Sequence, residues 1–308
     1  MLRRHLADVD AATRTKVQAW IENGHVTVNG VSVRRSAARA AVGDVVTVAL
    51  PPPASRTAMA AEEVALDILY EDDHLLALDK AAGVVVHPSY KNVDGTVLNA
   101  LLWHARGWPT GQRPSLVGRL DKGTSGIVVV AKNAAIHAAL QRTMASSDTA
   151  KDYLVVVYGR VKMVRGEINL RVGHDPLNRR RMVASSSVGA PSVTRFERLA
   201  CVAAPHTGLA LLRCRLVTGR THQIRVHLTA RNWPPVGDTV YGDPLWPKIV
   251  DPALAAALRA FPRQALHAWR LGFTHPVTRR RMLLEARLPR DFEGLLAAAG
   301  LADSSVRG

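Results

Sequence analysis

The most unusual polar segment of this 308-residue chain is the loop 117–126, Val-Gly-Arg-Leu-Asp-Lys-Gly-Thr-Ser-Gly, which leads directly into an apolar run. It holds three glycines, the cations Arg119 and Lys122, and the carboxylate of Asp121. A polar loop with demanding backbone conformations at the mouth of a sheet is a common place for a functional site. The same residue types also form ordinary turns, and composition alone favours that simpler interpretation.

The second candidate segment, 218–227, reads Thr-Gly-Arg-Thr-His-Gln-Ile-Arg-Val-His. If Thr221 caps a helix here, His222 and Arg225 lie three residues apart on one face, close to the positive end of the helix dipole, which favours an anion. His222 and His227 are about 140° apart around a helix and on opposite faces of a strand, so their spacing argues against a two-histidine metal site. A solvated cationic helix face is the alternative.

Charge is the most informative feature of the composition. The chain has 41 Lys and Arg against 25 Asp and Glu, a formal net charge of +16 and a sequence pI of about 10.8. This excess predicts a polyanionic partner, nucleic acid before membrane, with a basic metabolic enzyme as the alternative. Apolar residues make up 47% of the chain, which excludes disorder as the dominant state and allows a large core.

Several classes of protein are disfavoured by what the sequence lacks. No stretch of about 18 residues is free of charge, and residues 1–8 lack the apolar core of a signal peptide, so we expect a cytoplasmic protein. No glycine-rich phosphate-binding loop is present, so no nucleotide cofactor is expected. Cys201 and Cys214 cannot form a zinc module, and their strand-like surroundings predict two buried thiols.

Residues 1–50 are predicted to form a small α/β domain. Thr13 is placed to cap a helix with Trp20 on its core face, and an Asn-Gly pair is a strong hairpin signal between the two short strands that follow. The stretch 51–61, which begins with three prolines, then predicts a linker and a domain boundary.

The remainder of the chain, 62–300 with a short tail at 301–308, is predicted to mix strands and helices. The predicted strands are 66–70, 75–78, 84–86, 127–131, 153–158, 193–199 and 209–216. The predicted helices run from a Thr96 cap to about 104, from Asn133 to about 146, and from Thr221 to about 229. Because several strands follow one another without intervening helices, we expect an α+β fold with a mixed, largely antiparallel sheet rather than a doubly wound parallel one.

Residues 119–126 resemble the signature loop of RNA pseudouridine synthases of the RluA/RluD family, and further blocks of that family follow in the same order. These blocks are residues 78–88, 95–96, 151–153, 219–228, 237–242 and 266–276. Residues 13–30 resemble the small alpha-L RNA-binding domain, which is shared with a ribosomal small-subunit protein and is common at the front of this family. The ordered series covers most of the chain and is far more specific than any one motif.

The resemblance implies the pseudouridine synthase fold and the isomerisation of specific uridines to pseudouridine in structured RNA, most of all ribosomal RNA. The bond from ribose to uracil N1 breaks, the base turns, and a bond to C5 forms, so neither a redox cofactor nor a metal is required. Asp121 matches the family nucleophile, Arg225 its ionic partner, and Tyr153 the aromatic residue that packs on uracil and could help remove the C5 proton. The carboxylate could attack ribose, attack uracil or stabilise a charged intermediate, and the sequence does not choose between these routes.

The resemblance implies that the partner is RNA, either free ribosomal RNA or a ribosomal particle. The protein is expected to be a monomer. Arg14 and Lys16 match helix positions of the alpha-L domain that contact RNA phosphates in the family. Further expected RNA contacts are Arg119, Lys122, Arg220 and His222. The cationic excess of the whole chain favours the same partner.

Two positions depart from the family pattern. Gly118 stands where the family usually has histidine, and Ala81 replaces a proline. The glycine removes a side chain near the site and adds backbone freedom. Because Asp121, Tyr153 and Arg225 are all retained, an active enzyme is favoured. The alternative is a ribosome-assembly protein that has lost the chemistry, whereas a hydrolase has little support because the sequence contains no serine elbow or metal constellation.

Overall fold

The computed structural model of the protein describes residues 14–50, 59–89, 92–178, 181–202 and 208–302. The chain divides into two compact units, Met1–Met59 and Ala60–Gly308. Three predicted features lie wholly or mostly outside the described residues: the Thr13 cap, the linker at 51–61 and the tail at 301–308.

The first unit is a helix packed on a three-stranded antiparallel sheet. Its elements are α1 (Arg14–Glu22), β1 (Val26–Val28), β2 (Val31–Ser32) and β3 (Val46–Val48), with the strand order β2-β1-β3. Asn29 and Gly30 have φ of 51° and 81°, the left-handed conformation that a two-residue hairpin turn requires. Val17, Trp20 and Val26 form the buried core of this unit, so the predicted helix and hairpin are confirmed.

The second unit is built on a ten-stranded mixed sheet and a separate hairpin. Its strands are β4 (Ile68–Glu71), β5 (Leu75–Lys80), β6 (Ser115–Leu116), β7 (Ser125–Ala131), β8 (Ala150–Tyr158), β9 (Arg165–Asn169), β10 (Arg171–His174), β11 (Met182–Ser185), β12 (Val193–Val202), β13 (Leu209–Leu216), β14 (Leu266–Thr274) and β15 (Arg281–Glu285). The sheet order is β4-β5-β7-β14-β8-β13-β12-β9, with β6 beside β7 and β15 beside β14, while β10 and β11 form the hairpin. Of the strand pairs described, β7 with β14 is the parallel one, so the predicted mixed, largely antiparallel fold is confirmed.

The middle of this sheet is covered on both faces. The helices of the second unit are α2 (Val97–His104), α3 (Ala134–Ala145), α4 (Gln223–Ala230), α5 (Pro252–Ala260) and α6 (Arg290–Ala298). Along β8, Leu154 and Val156 pack in one cluster with α5 and α6, whereas Val155 and Val157 pack in another with Ile224 of α4. This alternation is the period of two expected of a strand, and it places buried apolar side chains of β8 on both faces of the sheet. No described helix is long and apolar enough to cross a membrane.

Local signals predicted α2 and α3 but gave no prediction for α5, α6 or the strands β6, β9, β10, β11, β14 and β15. Thr96 accepts a backbone hydrogen bond in the first turn of α2, which confirms the predicted cap. The helix predicted from Asn133 is also present as α3, and the structure shows that the Asn133 side chain caps it. The predicted strand at 84–86 is wrong. The first amides of a helix have no partner within the helix, and those of α2 donate to the carbonyls of Val85 and Val86. These two carbonyls therefore do not pair with a strand.

Two further predictions are wrong. Thr221 does not cap α4, because the side chain of Gln223 closes this turn by accepting a backbone hydrogen bond, and His222 becomes the residue before the helix. The two thiols also differ. Cys214 is buried on β13, between β8 and β12, whereas Cys201 faces solvent near the end of β12.

Candidate active site

Asp121 lies in an open cleft of about 640 Å³ in the second unit. The walls of the cleft are residues 85–89, residues 117–121, the start of β8, the segment that leads into α4, and part of β14. The side chain of Asp121 is 26% exposed, so its carboxylate is shielded but can still be reached from the cleft. Among the described residues, no group of three or more His, Cys, Asp or Glu side chains is arranged to hold a metal ion.

Two side chains at the start of α4 face the carboxylate of Asp121. Arg225 donates from Nη1 to Oδ2 at 2.8 Å, and Nε2 of His222 lies 3.6 Å from Oδ1. Asp121 and Arg225 are 104 residues apart in the sequence, so the fold creates this pair. A guanidinium at this distance is a direct counter-charge and hydrogen-bond donor for the carboxylate.

Arg225 is anchored from behind by a second carboxylate, Asp238. Its Nε and Nη2 donate to Oδ2 and Oδ1 of Asp238 at 2.6 and 2.8 Å, and the two side chains are 6% and 0% exposed. Burial lowers the pKa of Arg225, but hydrogen bonds and charge from Asp238 and Asp121 outweigh it and raise the pKa above its ordinary value. The guanidinium is therefore a fixed cation that is directed at Asp121.

Tyr153 lies at the start of β8, in the wall of the same cleft. Burial, with a smaller contribution from the charge of Asp121, raises the pKa of Tyr153 to about 12. The phenol therefore stays neutral at physiological pH. A neutral phenol ring is suited to packing against a uracil base. The raised pKa disfavours the second role that the resemblance implied for Tyr153, removal of the C5 proton, because few molecules carry the phenolate that would accept this proton.

The expected RNA contacts of the second unit are not equivalent. Arg119 and Arg220 are exposed and line the cleft, so their charges are available to a ligand there. Lys122 is exposed but does not line the cleft, and His222 is half-buried inside it, beside Asp121. In the first unit, Arg14 and Lys16 both lie on α1.

Two buried cations that the sequence interpretation did not single out hold the loop of Asp121. Lys80 donates from Nζ to the carbonyls of Val84 and Lys122 at 2.9 and 3.4 Å, and Nη1 of Arg263 donates to the carbonyl of Gly123 at 3.1 Å. Burial, and to a smaller extent the charge of Arg263, lower the pKa of Lys80 to about 8. These bonds fix the backbone on the C-terminal side of Asp121 and thereby the direction of its side chain.

Two sequence families match this chain. Residues 74–230 match the model of the family described as RNA pseudouridylate synthase, and residues 11–46 match the S4 domain. The first match includes Asp121, Tyr153 and Arg225, and the second includes α1 and the hairpin that follows it.

Individual relatives match over nearly the whole chain. The ribosomal large subunit pseudouridine synthase D of Xylella fastidiosa is 42% identical over 289 residues, which cover 93% of this chain and 84% of the relative. The protein of the same name from Nitrosomonas europaea is 39% identical over 295 residues, 96% of this chain and 83% of the relative.

Solved structures agree with the sequence relatives. Human RNA pseudouridylate synthase domain containing 1 is 25% identical with a TM-score of 0.58, over 76% of this chain and 87% of the human one. Human RNA pseudouridylate synthase domain containing 4 has the same fold, with a TM-score of 0.61 at 23% identity, over 76% of this chain and 93% of its own. This chain therefore belongs to the RNA pseudouridylate synthase family, a family of RNA isomerases, and carries an S4 domain in front of the catalytic fold.

Proposed function

We propose that this protein converts specific uridines of large-subunit ribosomal RNA to pseudouridine, with Asp121 as the nucleophile and without a cofactor. The observation that supports this most strongly is the ionic partner of Asp121. A carboxylate that can be reached from the cleft pairs at 2.8 Å with Arg225, which is itself buried and anchored by Asp238. The ribosomal substrate is inferred from the names of relatives that are 39% and 42% identical.

Each proposed catalytic side chain has a separate task in this reaction. Attack by the carboxylate of Asp121, on ribose or on uracil, allows the bond between C1′ and N1 to break without water or an electron acceptor. The fixed cation of Arg225 orients the carboxylate of Asp121 before attack and balances its charge again when Asp121 is released. The ring of Tyr153 packs against the uracil while it turns to present C5. Once C5 is bonded to C1′, the C5 proton passes to solvent and N1 takes up a proton, so the overall change is an isomerisation.

RNA is the proposed partner of the basic surface. A uridine must leave its stack to enter the cleft, which costs a few kcal/mol in a duplex. Contacts to phosphates from Arg119, Arg220 and Lys122 offset that cost, and Arg14 and Lys16 of α1 are proposed to add further contacts. Because one chain supplies every proposed catalytic residue, we expect a monomer, and a ribosomal substrate implies a cytoplasmic location.

If RNA binding and catalysis belong to different domains, removal of the first unit should affect binding more than turnover. We assign RNA binding to 1–50, a linker to 51–61 and catalysis to 62–300. A protein without residues 1–59 should remain folded, because the second unit has its own core, and should bind RNA about tenfold or more weakly while keeping turnover at high RNA concentration. Thermal unfolding and RNA titration measure both effects. An insoluble or unfolded second unit would contradict the domain assignment.

Gly118 gives a test of the alternative, an assembly protein without activity. This residue is exposed, its φ lies outside the left-handed region, and a Cβ added there would meet no atom within 4 Å. Although Gly118 lines the cleft, the loop can keep its conformation with a histidine, so we expect Gly118→His to fold normally and to change kcat/KM only modestly, by less than about tenfold. A gain of several orders of magnitude would instead mean that the glycine has impaired the natural enzyme.

The proposed function is tested by tritium release from ribosomal RNA labelled at C5 of uridine. The purified protein should release tritium from RNA of a strain that lacks its gene and not from RNA of the parent strain, whose sites are already modified. Pseudouridine maps of the two RNAs should differ at the same positions. Release from transfer RNA alone would move the substrate away from the ribosome, and no release from either RNA would contradict the enzymatic assignment.

A further inference from the structure

His222 adopts a backbone conformation that residues other than glycine rarely take. Its φ is 55°, in the left-handed region, and its side chain makes no capping hydrogen bond to α4. Such a conformation costs free energy and persists where the surrounding contacts require it, often at a functional site. Here the half-buried imidazole lines the cleft beside Asp121.

The imidazole lies between a tyrosine and the proposed nucleophile. Its Nδ1 is 2.6 Å from the hydroxyl of Tyr241, and its Nε2 is 3.6 Å from Oδ1 of Asp121. The two rings meet almost edge to face, with their centroids 5.5 Å apart. His222 therefore connects Tyr241 to Asp121.

The hydrogen bonds of Tyr241 decide where the proton of His222 lies. The amide N–H of Met182, at the start of β11, donates to the hydroxyl oxygen of Tyr241 at 2.9 Å. The phenol can then donate its own proton to Nδ1, which accepts it with a lone pair. A neutral imidazole that accepts at Nδ1 carries its proton on Nε2, and that nitrogen faces Asp121.

Four charged groups face the same imidazole. They are the carboxylates of Asp121 and Asp238 and the guanidiniums of Arg225 and Arg119. Burial has the largest effect on the pKa of His222 and lowers it. The two carboxylates raise this pKa and the two guanidiniums lower it, and the net result is a pKa below the ordinary value of histidine. The imidazole is therefore neutral at physiological pH.

We propose that His222 is a positioning residue, which Tyr241 fixes as the tautomer with its proton on Nε2, directed at Oδ1 of Asp121. The inference rests on the proposed role of Asp121 as the nucleophile. Arg225 already occupies Oδ2 at 2.8 Å, whereas a separation of 3.6 Å leaves Oδ1 without a full hydrogen bond. Oδ1 is therefore the oxygen that is free to attack, and the Nε2–H group restrains its orientation.

Protonation of His222 would disrupt this arrangement. An imidazolium cannot accept the proton of Tyr241 at Nδ1, and its charged Nε2–H group would bind Oδ1 tightly and reduce its reactivity. Activity should therefore fall as the pH drops through the pKa of His222. Because only the neutral imidazole accepts a hydrogen bond from Tyr241, removal of that hydroxyl should raise this pKa.

The test is the pH dependence of kcat/KM for Tyr241→Phe in the full-length protein, measured by tritium release. Phenylalanine keeps the ring that packs with Val172 and Val226. We expect the acid limb of the profile to move to higher pH by about one unit, the shift that the loss of one hydrogen bond would cause, with an unchanged Kd for RNA. Tyr158→Phe, at a buried tyrosine that does not line the cleft, is the matched control and should leave the profile unchanged.

A second variant, His222→Asn, keeps the inference testable if Tyr241→Phe folds poorly. Asparagine tolerates the left-handed conformation and does not titrate, so the acid limb assigned to His222 should disappear while kcat falls by about tenfold. An unshifted limb in a folded Tyr241→Phe, or a retained limb in His222→Asn, would overturn the inference without affecting the role of Asp121. Full activity of Asp121→Asn would instead overturn the proposed function.

Discussion

Asp121→Asn should abolish pseudouridine formation, by at least about a thousandfold in kcat, while RNA binding stays within about twofold of the natural protein. Asparagine has nearly the same shape as aspartate but lacks the negative charge and the nucleophilic oxygen. Arg225 keeps Asp238 as a counter-charge, with two hydrogen bonds of 2.6 and 2.8 Å, so no buried cation is left uncompensated. The expected change in the free energy of unfolding is therefore below about 1 kcal/mol.

Tritium release and RNA titration on the same preparation separate chemistry from binding. Asp251→Asn makes the same chemical change at the start of α5, where asparagine caps a helix equally well, and should leave both quantities unchanged. If Asp121→Asn loses binding and activity in proportion, Asp121 is a structural residue. If pseudouridine still forms at the natural rate, Asp121 is not the nucleophile and the proposed mechanism is wrong.

Local structure was predictable from the sequence where one short-range interaction decides it. The Asn29-Gly30 turn and the caps at Thr96 and Asn133 each depend on atoms within a few residues of one another. Residues 84–86 show the limit, because an apolar triplet predicts a strand only if its carbonyls find a neighbouring strand. Here the amides at the start of α2 donate to two of those carbonyls instead. The sequence of residues 84–86 gives no sign that a helix start, rather than a strand, will be their hydrogen-bond partner.

The site was predictable only through family resemblance. Spacing alone gave no reason to pair Asp121 with a residue 104 positions away, and the resemblance proposed Arg225 as its partner. Asp238 belongs to one of the matching blocks, yet its position behind Arg225 depends on the packing of the loop after α4. Lys80 carried a weak signal, a lysine at the end of an otherwise mostly apolar strand, although its hydrogen bonds to carbonyls on two loops could not be foreseen.

Arg225→Gln should lower the free energy of unfolding by about 3–5 kcal/mol and should also abolish activity. The stability loss is expected because the side chain of Asp238 is fully buried and would lose both hydrogen bonds to its cation. Activity should be lost because Asp121 would no longer face a guanidinium. Urea titration at neutral pH measures the first effect, and tritium release measures the second.

The double variant Arg225→Gln with Asp238→Asn distinguishes charge burial from a general packing defect. Two neutral amides can hydrogen-bond to each other, so the double variant should be more stable than Arg225→Gln alone, with a coupling free energy of about 2 kcal/mol. Arg195→Gln is the control, because its ion pair with Glu167 is exposed and its loss should cost less than about 1 kcal/mol. If Arg225→Gln costs no more than Arg195→Gln, the buried pair does not stabilise the fold, and Arg225 acts only on Asp121. If the two single losses simply add in the double variant, the loss of stability arises from packing around both side chains rather than from an uncompensated charge.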